Sequence, residues 1–178
     1  MDVEALRLWH CRDHPRRHDA LDRVITRELP ERLSRATGLL ARGSVGMGTR
    51  ARIPHVSLLV RDTGAVCPDD LFICIFLGPD SLHACTLHGL HRLRARVGPQ
   101  WRDEAARAVA RARSSVPSPI RSRLRDQPPD WVGPRYRPVH ALGREIAYGP
   151  ETGSRLLEVL SLLKPVILEQ SPRNSPPS

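Results

Sequence analysis

Three short apolar runs, HVSLLV (His55 to Val60), LFICIFL (Leu71 to Leu77) and LHACTL (Leu82 to Leu87), follow one another in the middle of the chain and constrain its fold more than any other feature. Each has the length and the β-branched or aromatic content of a strand. The signals between them, RDTG, CPDD and GPD, are those of turns. The runs therefore read as an antiparallel meander.

Helical patterns surround the meander. Between Val3 and Leu40 the apolar residues Leu6, Leu8, Leu21, Val24, Ile25, Leu29, Leu33, Ala36 and Leu40 recur at near-helical spacing, interrupted by Pro15 and Pro30, which predicts two or three helices ending in LLARG. DEAARAVARAR (Asp103 to Arg113) is helical by its alanines, with acidic residues in its first turn where they complement the helix dipole. Ser114 to Arg137, rich in Pro, Ser and Arg, reads as a long surface loop. REIAYG supplies a short strand. SRLLEVLSLL is an amphipathic helix with Ser154 as its N-cap, ended or bent at Pro165. The expected fold class is α+β: an antiparallel sheet of short strands packed by N-terminal, middle and C-terminal helices. A single domain is expected over residues 1–169, with residues 170–178 a disordered tail.

Charge narrows the partner. Lys and Arg number 28 against 19 Asp and Glu, a formal net charge of +9, which favours a polyanion such as nucleic acid. No stretch approaches the roughly 20 apolar residues of a membrane span, and the N-terminus lacks a signal-peptide pattern, so a cytoplasmic protein without a membrane partner is expected. Cys11, Cys67, Cys74 and Cys85 form no CxxC pair and read as reduced thiols, Cys74 and Cys85 within apolar runs.

The glycine-rich stretch GSVGMGTRARIPHVSLLV, starting at Gly43, excludes several chemistries. A phosphate loop needs Lys followed by Ser or Thr, whereas Arg50 stands here and a strand follows. A dinucleotide fingerprint needs its glycines after a strand and before a helix, the reverse of this order. A nucleophile elbow needs glycine two residues before the serine, and Arg42 occupies that place before Ser44. The sole lysine, Lys164, has no acidic strand pattern of a metal-dependent nuclease around it. No catalytic residue and no cofactor emerges; the chain reads as a recognition module, not an enzyme. A zinc-binding protein is the competing reading: His83 and Cys85 share one strand face, with His88 and His91 just beyond, and all four residue types ligate zinc. The spacing matches no standard zinc module. HCRDHPRRH offers His10, His14 and His18 less well, because Pro15 breaks the helix that would align them.

Taken as a pattern, LLARG followed by S-x-G-x-G, then I-P five residues later, then an apolar strand, resembles the N-terminal DNA-binding domain of McrB, the modified-cytosine-recognising subunit of modification-dependent (type IV) restriction systems that act in phage defence. LFICIFL and LHACTLHGL are similar to the family's next strands. PRYRPVHALGREIAYGPETGSRLLEVLSLLKPVI is similar to its closing Tyr-containing loop, strand and helix, so the resemblance covers most of Leu33 to Ile167.

The resemblance implies sequence-tolerant binding of double-stranded DNA and flipping of a modified base, methylated cytosine above all, into a pocket. Flipping is needed because a stacked base cannot be wrapped on all sides. Carried over position by position, the pocket residues are Met47, His55, Phe72, Phe76 and Tyr136, and the DNA-contacting loop and backbone residues are Arg42, Ser44, Gly46, Gly48, Thr49, Arg50 and Arg52. Met47 and His55 stand where the family has aromatic residues; a polarisable thioether and an imidazole can each pack on a base. The nuclease or AAA+ motor of such a system is expected on another domain or chain. A nonspecific nucleic-acid-binding or protein-interaction module is the other alternative to modification readout.

Overall fold

The structure is a computed structural model that describes residues 21–45, 53–60, 71–89 and 98–170. Five strands, β1 (Leu40–Ser44), β2 (His55–Leu59), β3 (Leu71–Leu77), β4 (Ser81–His88) and β5 (His140–Ala147), pair in the order β1-β2-β3-β4-β5, each neighbour antiparallel. With the helices around it this is the expected α+β fold, and the meander of the three apolar runs is its centre. β3 lies in the middle of the sheet, with helices or turns over both faces, so its apolar residues do not alternate with polar ones.

One sheet face carries the larger core. Val56 and Leu58 of β2, Ile73, Ile75 and Leu77 of β3 and Leu82 and Ala84 of β4 meet Leu21, Ile25 and Leu33 of the N-terminal helical segment and Leu156, Val159, Leu160, Leu163 and Ile167 of the C-terminal helix. That segment comprises a π-helical turn, Val24–Glu28, running into α1 (Leu29–Thr37). It does not end in LLARG. Gly38 takes the left-handed conformation (φ 70°), its N–H bonds back to the Ser34 carbonyl at 2.8 Å, and the helix stops there. Lys164 Nζ donates to the Thr37 carbonyl at 2.6 Å, and Leu40 onward is captured as strand by pairing with β2. Gly43 has a packing reason: a Cβ there would lie 1.7 Å from the Ile25 carbonyl oxygen, so the π-turn rests directly on β1.

The opposite face carries a smaller cluster of Cys74, Phe76, Cys85, Leu87, Ala105, Val132 and Val139, with Ile53, Phe72, Trp101, Trp131 and Tyr136 packed against it. Its cover comes from the connection between β4 and β5, which contains α2 (Trp101–Ser114), α3 (Ser118–Arg121) and 3-10 turns at Asp130–Val132 and Pro134–Val139. The expectation of a long surface loop over Ser114 to Arg137 is thereby corrected. Leu124 and Val132 are buried, and Arg125 exchanges two backbone hydrogen bonds with Gly143 (2.7 and 2.9 Å). Arg113 reaches from α2 to donate to the carbonyls of Ala141 (2.8 Å), Asp126 (2.6 Å) and His140 (3.1 Å). The prolines that suggested a loop suit short turns whose first residues need no N–H donor.

Two further boundaries differ. β5 begins at His140, four residues ahead of the expected REIAYG strand, and ends at Ala147. α4 (Thr152–Gln170) starts before Ser154, whose hydroxyl donates to the Glu151 carbonyl instead of capping the helix, and it runs through Pro165 to Gln170. No helix among the described residues is long and apolar enough to cross a membrane.

Candidate functional site

Antiparallel register places side chains of paired residues on one face, and two adjacent rows cross the whole sheet beneath the smaller cluster. The first is Ser44, His55, Phe76, His83, Glu145; the second is Arg42, Ser57, Cys74, Cys85, Gly143. Of the residues expected at a DNA site, Arg42, Ser44, His55 and Phe76 thus stand on one face, joined by Phe72, two residues from Cys74 on β3. Tyr136 comes from the 3-10 turn above. Its ring meets Phe76 at 4.7 Å between centroids, tilted by 59°, and the His55 ring lies 5.9 Å from Phe76 on the other side. Met47, Gly46, Gly48, Thr49, Arg50 and Arg52 lie outside the described residues, in the segment that joins β1 to β2 beyond the Ser44–His55 pair.

The chemistry of the cluster follows from its partners. His55 Nδ1 is 3.2 Å from the Ile53 carbonyl, which can only accept, so Nδ1 carries the proton and Nε2 is the acceptor. Burial pushes the His55 pKa below its ordinary value and Arg135 opposes a positive charge as well, outweighing the Ile53 hydrogen bond, so the ring is neutral at pH 7. Phe76 is fully buried, with the partly accessible rings of His55 and Tyr136 against it, while Phe72, also partly accessible, lies on the same face at the start of β3. The Arg135 guanidinium lies 4.6 Å over the Tyr136 ring and donates to its hydroxyl at 2.6 Å, setting a cation beside the aromatic residues. Arg102 stacks similarly on Trp101 at 5.5 Å. Elsewhere several exposed arginines pair with carboxylates: Arg107 and Arg111 with Glu104, Arg121 with Asp126, Arg123 with Glu158 and Arg137 with Asp130.

The rows also gather a set that the sequence did not assemble. His83 on β4 and His140 at the start of β5 face each other, Nε2 to Nε2 at 3.0 Å, with rings stacked 5.2 Å apart. Together with Cys85 they place one ligand-type atom each within 4.8 Å of the others, and all three residues are fully buried. His88, grouped with His83 and Cys85 in the zinc reading, pairs opposite Leu71, a member of the core on the other face. His91, like His10, His14, His18, Cys11 and Cys67, lies outside the described residues.

Sequence reasoning passed over His140 because a register shift between Cys85 and Leu87 displaces its pairing to Leu87. Arg135 was hidden in what read as loop. The one legible signal was the repeated His and Cys at alternate positions of β4.

Comparison with known proteins adds no relative: no protein-family profile matches the chain, and no curated protein and no solved structure matches it.

Proposed function

We propose that this chain is a DNA-recognition module that binds double-stranded DNA in a sequence-tolerant way and reads a modified base, methylated cytosine first, after flipping it from the stack, with no covalent chemistry of its own. The observation that carries the reading is the gathering of His55, Phe76 and Tyr136 on one sheet face, at the strand ends from which the glycine-rich segment leaves, with Ser44 and Arg42 on that face and Phe72 further along it at the start of β3. Aromatic rings stack on any base, and each such stack contributes about 1–3 kcal/mol. The acceptor Nε2 of His55 complements the exocyclic amino group of cytosine, and the apolar ring of Phe72 complements a 5-methyl group. A net charge of +9 supplies the phosphate attraction that brings duplex and protein together. The nuclease or motor that acts on the bound DNA belongs to another domain or chain.

The reading is tested by competition. A labelled 5-methylcytosine duplex bound to the protein is challenged with unlabelled duplexes of identical sequence, modified or not. At least about tenfold weaker competition by the unmodified duplex, about 1.4 kcal/mol, is expected. Equal competition by both would replace modification readout with nonspecific binding.

A further inference from the structure

His83 stands beside Phe76 in the first row and Cys85 in the second, and with His140 they form a buried group of their own next to the aromatic residues. We propose that these three residues form a zinc-binding site, with two imidazole nitrogens and one thiolate as ligands and a fourth position taken by water.

Four independent features of the structure carry this inference. First, the spacing fits. Tetrahedral zinc with N ligands at about 2.0–2.1 Å and S at about 2.3 Å holds its donor atoms roughly 3.3–3.6 Å apart. The ligand-type atoms of the three residues already lie within 4.8 Å of one another, and the two Nε2 atoms are 3.0 Å apart, so rotation of the side chains by fractions of an ångström at the donor atoms opens the site.

Second, His140 is oriented as metal-ligating histidines are. Its Nδ1 lies 3.1 Å from the Asp126 carbonyl, an acceptor, so Nδ1 carries the proton and Nε2 presents its lone pair to His83. The same Asp126 carbonyl is held by Arg113 at 2.6 Å. Third, the metal-free pair leaves one ring nitrogen open to take up the proton that a metal would displace. With His140 Nε2 as acceptor, His83 must donate from Nε2, which leaves its Nδ1 as a buried acceptor with no hydrogen-bond partner among the described residues. On binding, the His83 proton moves from Nε2 to Nδ1 and the Cys85 thiol gives its proton to solvent, so one proton is released per ion. A cavity of about 360 Å³ lined by His83, Arg125, Asp126, Gln127 and Glu145 adjoins His83 and has room for a water molecule.

Fourth, the backbone makes way for the cluster. Gly143, paired with Cys85 across β4 and β5, faces the site without a side chain. A Cβ there would lie 2.5 Å from Cys85 Cβ and 2.8 Å from His83 Cε1 and Nε2.

The experiment uses the intact chain, stripped with chelator and titrated with Co2+ as the spectroscopic probe. Expected is uptake of about one Co2+ per chain, visible bands of tetrahedral intensity, a near-ultraviolet thiolate-to-cobalt charge-transfer band, and loss of all three signals when Zn2+ is added. Cys85→Ala removes the charge-transfer band. Cys74→Ala, which alters the equally buried register partner of Cys85 on β3, keeps it. Far-UV circular dichroism establishes that both variants are folded. His140→Gln serves as the second variant if Cys85→Ala does not fold, and it loses the tetrahedral visible bands. Absence of bands in the wild type, or a charge-transfer band that survives Cys85→Ala or disappears with Cys74→Ala, would overturn the assignment. None of these readouts involves DNA, so the site stands or falls apart from the DNA reading.

Discussion

Gly143→Ala tests the packing on which both halves of the candidate face depend. The added methyl would sit 2.5 Å from Cys85 Cβ and 2.8 Å from two atoms of the His83 ring, against the 3.5–4.0 Å at which carbon atoms make favourable contact. Neither obstacle can swing clear: Cys85 Cβ is fixed to β4, and His83 is hemmed in by Phe76 beside it and His140 above. The strands must therefore separate by about 1 Å or the ring must leave its position. Overpacking of this kind costs about 1–3 kcal/mol, and loss of the His83–His140 hydrogen bond adds about 1 kcal/mol. At about 2–4 °C per kcal/mol for a chain of this size, the sum of about 2–4 kcal/mol lowers Tm by roughly 4–16 °C. The assay is thermal unfolding followed by circular dichroism, with Gly149→Ala and Gly153→Ala as controls, because an added Cβ meets nothing within 4 Å at either position. A Gly143→Ala protein that melts with the wild type would refute the argument that β4 and β5 close tightly around the histidines.

Three other outcomes are expected. In metal-free protein, burial, the largest cause for both residues, holds the pKa of His83 down to about 3 and that of His140 to about 4, below the unfolded 6.5. Their folded-state values are depressed, so the stabilisation is present above pH 6.5 and is lost as pH falls toward 4. Urea midpoints should report a loss of about 4 kcal/mol between pH 7 and pH 5, about 2 kcal/mol for each histidine, and a flat profile would contradict the buried neutral pair. Tyr136→Ala and His55→Ala should each reduce the preference for a modified duplex by about 1–3 kcal/mol while leaving binding of unmodified DNA close to wild type in anisotropy titrations; an unchanged ratio for His55→Ala removes that residue from the reading. Arg50→Ala should weaken all duplexes alike and lower the slope of log affinity against log salt by about one.

The meander was legible because its three apolar runs are separated by strong turn signals, and register counted along them put Phe72 and Phe76 on one face as expected. β1 was not legible. LARGS carries no strand pattern and becomes a strand because Gly38 stops α1 and Gly43 lets the π-turn lie on it. The segment from Ser114 to Arg137 misled for a related reason: its turns are held by long-range bonds from Arg113 and Gly143, which composition does not encode. At the site, alternation showed that His83 and Cys85 point the same way. Their third partner, His140, lies 57 positions from His83 and reaches them only through the shifted register of β4 and β5. Sequence spacing nominated His88 instead, which strand alternation carries to the opposite face.

The central claim is that this face reads a base modification. The most direct measurement is a fluorescence-anisotropy titration of the chain against matched duplexes containing cytosine, 5-methylcytosine, 5-hydroxymethylcytosine, N4-methylcytosine or N6-methyladenine, at two salt concentrations. The account predicts that every affinity falls as salt rises, while one modified-cytosine duplex keeps an advantage of about tenfold or more, about 1.4 kcal/mol, at both. Equal affinity for all five duplexes, or no binding at either salt, would contradict it.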